Sequence, residues 1–98
     1  MDYDIGETAS GCALTLSGRL TFRENEDFRR IIDGLPGKVG KTLSVDVSHL
    51  EFIDSAGLGM LLLLGEAVEG RVTLSGPQGQ VKRLLTASRF NTLIPIIG

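Results

Sequence analysis

From residue 43 to 47 every second side chain is apolar, and from residue 58 to 64 nearly every side chain is. The first stretch sets Leu43, Val45 and Val47 against Ser44, Asp46 and Ser48, the two-residue period of a strand with one covered and one wetter face. The second, with Leu58, Met60, Leu61, Leu62 and Leu64, predicts a helix from residue 55 to about residue 69. It is apolar almost all round and so largely buried. His49-Leu50-Glu51 reads as a short connector, after which Phe52 and Ile53 lead into Asp54-Ser55-Ala56-Gly57-Leu58-Gly59. A strand that turns this abruptly into a buried helix constrains the chain to an α/β arrangement.

The junction carries the candidate functional residues. Asp54 and Ser55 are both good N-cap types, because either side-chain oxygen can accept from the unpaired N–H groups of a first helical turn. A helix start also carries about half a unit of positive charge and favours an anion. A hydroxyl there, with Gly57 and Gly59 leaving room for another molecule, makes Ser55 a candidate phosphorylation switch. The plainer alternative is that Ser55 only caps the helix.

The flanking elements follow the same alternation. Tyr3, Ile5 and Thr8 indicate a short first strand, and Ser10-Gly11 a turn into a second strand, residues 12–20. There Leu14, Leu16 and Leu20 share a face opposite Thr15 and Ser17, and Gly18 marks a place for a bulge. Thr21 opens a helix with Glu24 in the capping-box position. Phe28, Ile31, Ile32 and Leu35 form its apolar face, and Gly34, Pro36 and Gly37 end it. A polar loop, residues 37–41, precedes the alternating strand. Gly70 stops the apolar helix, residues 71–75 form a strand, and Gly76-Pro77 turns into a last helix. That helix places Val81, Leu84, Leu85 and Ser88 on one face, with Asn91 as its C′ residue. Residues 93–97 read as a closing strand, with Pro95 tolerable at an edge.

The order is β-β-α-β-α-β-α-β. Strand–helix–strand repeats call for parallel pairing with right-handed crossovers, and clean strand alternation for helices mainly on one face. The strand C-terminal ends would bring residues 19–22, Asp54-Ser55 and residues 75–77 to one edge, where open α/β sheets bind ligands.

Composition removes several function classes. The 98 residues suit one domain spanning 1–98, and a net charge of −2 argues against nucleic acid as a partner. Cys12 and His49 are the sole cysteine and histidine, so neither a disulfide nor a zinc site is expected, and no cofactor. An acidic start, Asp2 and Asp4, is unlike a secretory signal, and the longest apolar run is too short for membrane insertion. A cytoplasmic location is the expectation. Gly40-Lys41-Thr42 has the end of a nucleotide phosphate loop, but the motif's first glycine falls on Leu35 and the segment joins helix to strand, the reverse of that motif. An enzyme using Ser55 as nucleophile would need His49 within hydrogen-bond reach and lacks the Gly-x-Ser-x-Gly elbow.

Asp46-Val47-Ser48-His49-Leu50-Glu51-Phe52-Ile53-Asp54-Ser55-Ala56-Gly57-Leu58-Gly59 resembles the signature of STAS domains, and more narrowly that of bacterial anti-sigma factor antagonists. Leu16-Ser17-Gly18-Arg19-Leu20 and Val81-Lys82-Arg83-Leu84-Leu85 are similar to two further stretches of the family. The apolar run 60–64 resembles that of short proteobacterial-type antagonists. The resemblance implies a STAS-type fold, a mostly parallel mixed sheet, and no catalytic activity. It implies phosphorylation of Ser55 by a partner that is both anti-sigma factor and serine kinase, reversed by a serine phosphatase. The partner surface it implies comprises Arg19, Thr21, Asp54, Ser55, Ala56 and Gly57. Many antagonists are acidic where this chain has Arg19 and Thr21. A regulatory subunit of a transporter or lipid-export complex is the alternative.

Overall fold

The computed structural model of the chain describes residues 1–9, 11–35 and 42–98. Ser10 of the expected turn, Pro36, the polar loop 37–41 and the Gly40-Lys41 pair of the phosphate-loop comparison lie outside the described residues. The described residues form five strands: β1 (Asp2–Thr8), β2 (Gly11–Leu20), β3 (Thr42–Ile53), β4 (Val72–Ser75) and β5 (Ile96–Ile97). Three helices, α1 (Asn25–Gly34), α2 (Ser55–Ala67) and α3 (Gly79–Ala87), alternate with them. The sheet order is β1-β2-β3-β4-β5, with β1 antiparallel to β2 and the remaining pairs parallel.

This order explains why the helices share a face. Four parallel strands laid down in sequence, each joined to the next by a crossover of the same hand, put every crossover on the same side. Cys12, Leu14 and Leu16 of β2, Leu43, Val45 and Val47 of β3, and Val72 and Leu74 of β4 are buried beneath them. Phe28 and Ile31 of α1, Met60, Leu61 and Leu64 of α2, and Val81 and Leu85 of α3 complete one core cluster. The mixed, mostly parallel sheet with helices on one face is as the sequence led one to expect.

β3 departs from expectation in length. His49, Leu50 and Glu51 belong to the strand, which continues to Ile53. From Thr15↔Asp46 to Ser17↔His49, β2 advances two residues while β3 advances three; from Gly18↔Leu50 to Arg19↔Phe52 it advances one against two. Each step is a bulge with one extra β3 residue, and each reverses the side-chain phase. The buried positions therefore run Leu43, Val45, Val47, then Leu50 and Ile53. The broken period mimicked a connector. At the first bulge the Asp46 carboxylate accepts the Ser48 backbone N–H at 2.9 Å, satisfying a donor the bulge would otherwise strand.

The helices also refine the reading. The Thr21–Glu24 capping box exists, but it opens a single 3-10 turn (Phe22–Glu24), and α1 begins only at Asn25. α2 ends at Ala67, short of residue 69, and the chain leaves through left-handed Glu69 (φ 57°) and Gly70 (φ 77°). α3 is closed by left-handed Arg89 (φ 55°) and not by Asn91, which sits in a second 3-10 turn (Phe90–Thr92). Residues 93–95, the first part of the expected final strand, form a turn and bend after it, leaving two residues in β5.

Burial on α2 is one-sided. Gly57, Met60, Leu61, Leu64 and Gly65 are buried, Leu58 and Leu62 are partly so, and Leu63 is 52 % exposed. An apolar sequence all round the helix thus does not mean burial all round it. Leu61→Ala should lower stability by about 2–5 kcal/mol, as for other leucines truncated in a packed core. Leu63→Ala should change it by less than about 0.5 kcal/mol. Urea titration of both variants measures the contrast, and equal midpoints would contradict this placement of α2.

Candidate functional site

The site is built at the C-terminal ends of β2 and β3. β3 outruns β4, whose last pairing is Ser75 with Asp46, so the β4-side edge of Ile53 has no strand beside it. Gln80 of α3 fills the gap. Its side-chain amide accepts the Ile53 N–H at 3.0 Å and donates to the Ile53 carbonyl at 2.8 Å, reproducing a strand partner. Ile53 is fully buried, and an unmet backbone pair there would cost about 1–3 kcal/mol per group. Nothing in the sequence pointed to Gln80, because a glutamine in a first helical turn reads as an ordinary surface residue.

Asp54 follows, its carboxylate and N–H all bonded to backbone groups. Its Oδ1 accepts the Gly57 N–H at 2.8 Å and so caps α2; its Oδ2 accepts the Phe22 N–H at 3.3 Å; its own N–H donates to the Leu20 carbonyl at 3.3 Å. Of the two cap candidates, Asp54 is the cap. Ser55 is the first helical residue, exposed, and its hydroxyl makes no hydrogen bond to any described residue.

The two glycines differ. A Cβ at Gly57 would run into the Leu20 carbonyl oxygen and the Ile53 side chain, whereas nothing stands within 4 Å of one at Gly59. Gly57 is buried, and the room expected there for another molecule is occupied by the protein's own β2 and β3. The open position is Gly59. Ala56 packs partly against the core.

Arg19 and Thr21 lie on the neighbouring wall. Register with β3 sets Arg19 beside Phe52, and its guanidinium carbon is 4.5 Å from the ring centroid, within cation–π range. The Glu24 carboxylate accepts both the Thr21 N–H and its hydroxyl at 2.9 Å. The bond from the Thr21 N–H, reinforced by that hydroxyl, holds the Glu24 carboxyl below the ordinary glutamate range. Arg19, Thr21, Phe22, Arg23, Phe52 and Asp54 together line an open groove of about 650 Å³. Phe22 falls within the edge stretch 19–22 expected from the sequence, whereas Arg23 and Phe52 were not anticipated: Arg23 read as a helix residue and Phe52 as a lead-in. Among the described residues no cluster of His, Cys, Asp and Glu could hold a metal ion, and no helix is long and apolar enough to cross a membrane.

A sequence model of the family described as "Mlab, STAS domain" matches residues 4–95. This chain belongs to the STAS-domain family. A STAS-domain containing protein of Pseudomonas aeruginosa is 31 % identical over 94 residues, covering 91 % of this chain and 92 % of that protein. The fold is similar to the anti-sigma factor antagonist SpoIIAA in its unphosphorylated form (TM-score 0.77, 19 % identity, 97 % of this chain and 87 % of that one). A Bacillus SpoIIAA structure in the phosphorylated form also matches (TM-score 0.70, 23 % identity, 97 % and 90 %). A sulfate transporter family protein of Wolinella succinogenes shares the fold too (TM-score 0.70, 18 % identity, 87 % and 74 %). Within this STAS domain, Asp54 both lines the groove and directly precedes Ser55 in the chain.

Two outcomes test the local construction. Gly57→Ala should destabilise the domain by more than about 1 kcal/mol, since its Cβ meets backbone, while Gly59→Ala should stabilise it by about 0.5–1 kcal/mol through helix propensity. Chemical denaturation of the pair reads the difference in sign. Glu24 supplies a pH test. Its folded pKa is depressed, so its contribution is complete above the unfolded glutamate pKa and lost as pH falls through the folded value. Glu24→Gln keeps an acceptor for Thr21 and should show a shallower fall in melting temperature on acidification than wild type. Parallel acid profiles would show that the cap does not depend on that charge.

Proposed function

We propose that this STAS domain is a non-catalytic anti-sigma factor antagonist that works by partner switching. In the unphosphorylated state it docks on an anti-sigma factor that is also a serine kinase, through the strand-end surface around Ser55, and displaces that partner's other client. Phosphorylation of Ser55 releases it, and a serine phosphatase restores it. The observation that carries this reading is the division of labour at the start of α2. Asp54 does the capping, so the exposed Ser55 hydroxyl is free for modification without loss of a structural bond.

A phosphate adds about −1.5 to −2 units of charge and three acceptor oxygens. At the first position of α2 the helix dipole tolerates it, so the domain stays folded. At a docked interface the same group is desolvated beside the Asp54 carboxylate, which is costly without a matching cation. Release then follows from local electrostatics, with no refolding. Nucleophilic catalysis by Ser55 is disfavoured by geometry. His49 lies on β3, its Nδ1 is 3.2 Å from the Ser48 hydroxyl, and the intervening strand to Ile53 spans roughly 13 Å at about 3.3 Å per residue.

The fold shared with a sulfate transporter family protein supports a second reading, a regulatory subunit of a transporter or lipid-export complex. Capture of an ATPase or permease in place of a kinase would favour it.

Ser55→Asp should abolish binding to the kinase partner while leaving the melting temperature close to wild type. A first-turn carboxylate gains about 0.3–1 kcal/mol from the dipole, which repulsion by Asp54 offsets. Ser55→Ala should retain binding, block phosphorylation and change stability by less than about 0.5 kcal/mol, because Ser55 is not the cap. Calorimetric titration and thermal melts on both variants decide the matter. Undiminished binding by Ser55→Asp, or labelling of Ser55→Ala by the kinase, would remove the proposal.

A further inference from the structure

The groove beside Ser55 has an unusual charge for its surroundings. The chain as a whole is −2, yet two of the groove's six lining residues are exposed arginines, Arg19 and Arg23. Neither is in an ion pair with a described residue; Arg30 pairs with Asp27, on α1 and away from the groove. The carboxylate that shares the groove is already engaged, since both Asp54 oxygens accept backbone N–H groups. Glu24, next to Arg23, has Oε1 committed to Thr21. Both arginines stay exposed and form no ion pair with a described residue, although the Arg23 charge contributes to the lowered Glu24 carboxyl.

Their setting also adds shape. The Arg19 guanidinium carbon lies 4.5 Å from the Phe52 ring centroid, and no hydrogen bond to a described residue takes up its N–H groups, which can still meet an acceptor. Phe22, on the opposite lip, is 72 % exposed, more than any other large hydrophobic residue among those described. A groove lined by two arginines and two aromatic rings matches a chain segment that carries carboxylates and an apolar side chain. A nucleic-acid strand matches less well, because such sites follow the backbone with a longer run of cations, and here Asp54 stands in the path.

We propose that this groove receives an acidic segment of the partner protein, its carboxylates on Arg19 and Arg23 and an apolar side chain against Phe22 and Phe52. This rests on the partner-switching reading and gives the partner's docking surface its chemistry. It also supplies a release mechanism: a phosphate on Ser55, next to Asp54 in the chain, repels an acidic occupant and competes for the same arginines.

The test uses fluorescence anisotropy with labelled ten-residue peptides, each with one central leucine in a glutamate-serine, all-serine or lysine-serine background, and an oligothymidylate of similar length. The wild-type chain should bind the acidic peptide at least about tenfold more tightly than the serine peptide, and added salt should erode that preference. Arg19→Glu and Arg23→Glu should abolish the preference, Arg30→Glu on α1 should keep it, and thermal melts should show all three folded. Equal affinity for acidic and serine peptides, a preference untouched by Arg19→Glu and Arg23→Glu, or binding of the oligothymidylate in place of the acidic peptide would overturn the proposal. Ser55→Asp separates the two readings. An arginine-dependent preference that Ser55→Asp leaves intact supports the acidic occupant and counts against the Ser55 switch. No preference, with Ser55→Asp still losing the kinase partner, overturns the acidic occupant and leaves the switch standing.

Discussion

The Asp54 carboxylate holds together two crossings of the chain that are otherwise distant in sequence. One oxygen caps α2 through Gly57 and the other reaches Phe22, where the chain leaves β2 for α1. Its backbone N–H closes the same corner on Leu20. A charged acceptor taking two backbone donors is stronger than a neutral one in the same place. The groove, the 3-10 turn at Phe22 and the exposed Ser55 keep their mutual positions because this one side chain is shared between them. It is also why Ser55 is spare: a helix needs one capping side chain, and the preceding residue has provided it.

The corner depends in turn on how far β3 extends. β3 runs on to Ile53, well past Asp46, its last pairing with β4, and takes in two extra residues as bulges against β2 on the way. Past that point a strand edge needs another partner, and Gln80 supplies one from α3. The close approach of α2 to β2 and β3 then leaves no space for a side chain at residue 57. Bulges, amide clamp and glycine are three consequences of one requirement, that the strand deliver Asp54 to the sheet edge beside Leu20.

Electrostatics at this edge work over short range. A phosphate on Ser55 would sit at a helix start that tolerates negative charge, but also next to Asp54. Such a group is harmless to the isolated domain and costly in a desolvated interface. A switch of this kind would need no moving part, which suits a domain whose Asp54 corner is tied down by hydrogen bonds to the backbone.

Much of this was legible in the chain itself. Two-residue periods in β2 and β3, the capping box at Thr21, the Asp54-Ser55 junction and the glycine stop at Gly70 are local signals. Local sterics and hydrogen bonding are enough to read them, and the sheet order follows once constant crossover hand is added. The continuation of β3 through His49 to Glu51 was hidden, because a bulge shifts the phase only relative to a neighbouring strand. Which face of α2 is covered was hidden as well. Leu61 and Leu63 are the same residue type two positions apart, one fully buried and one half exposed, and only the direction from which the sheet approaches separates them. The second bond of the Asp54 carboxylate, to Phe22, the steric need for Gly57 and the clamp by Gln80 are likewise contacts between segments far apart in sequence. Sequence alone determined which elements form, because periodicity and capping act within a few residues; tertiary structure decided which side chains remain available to a partner, because availability is whatever packing leaves over.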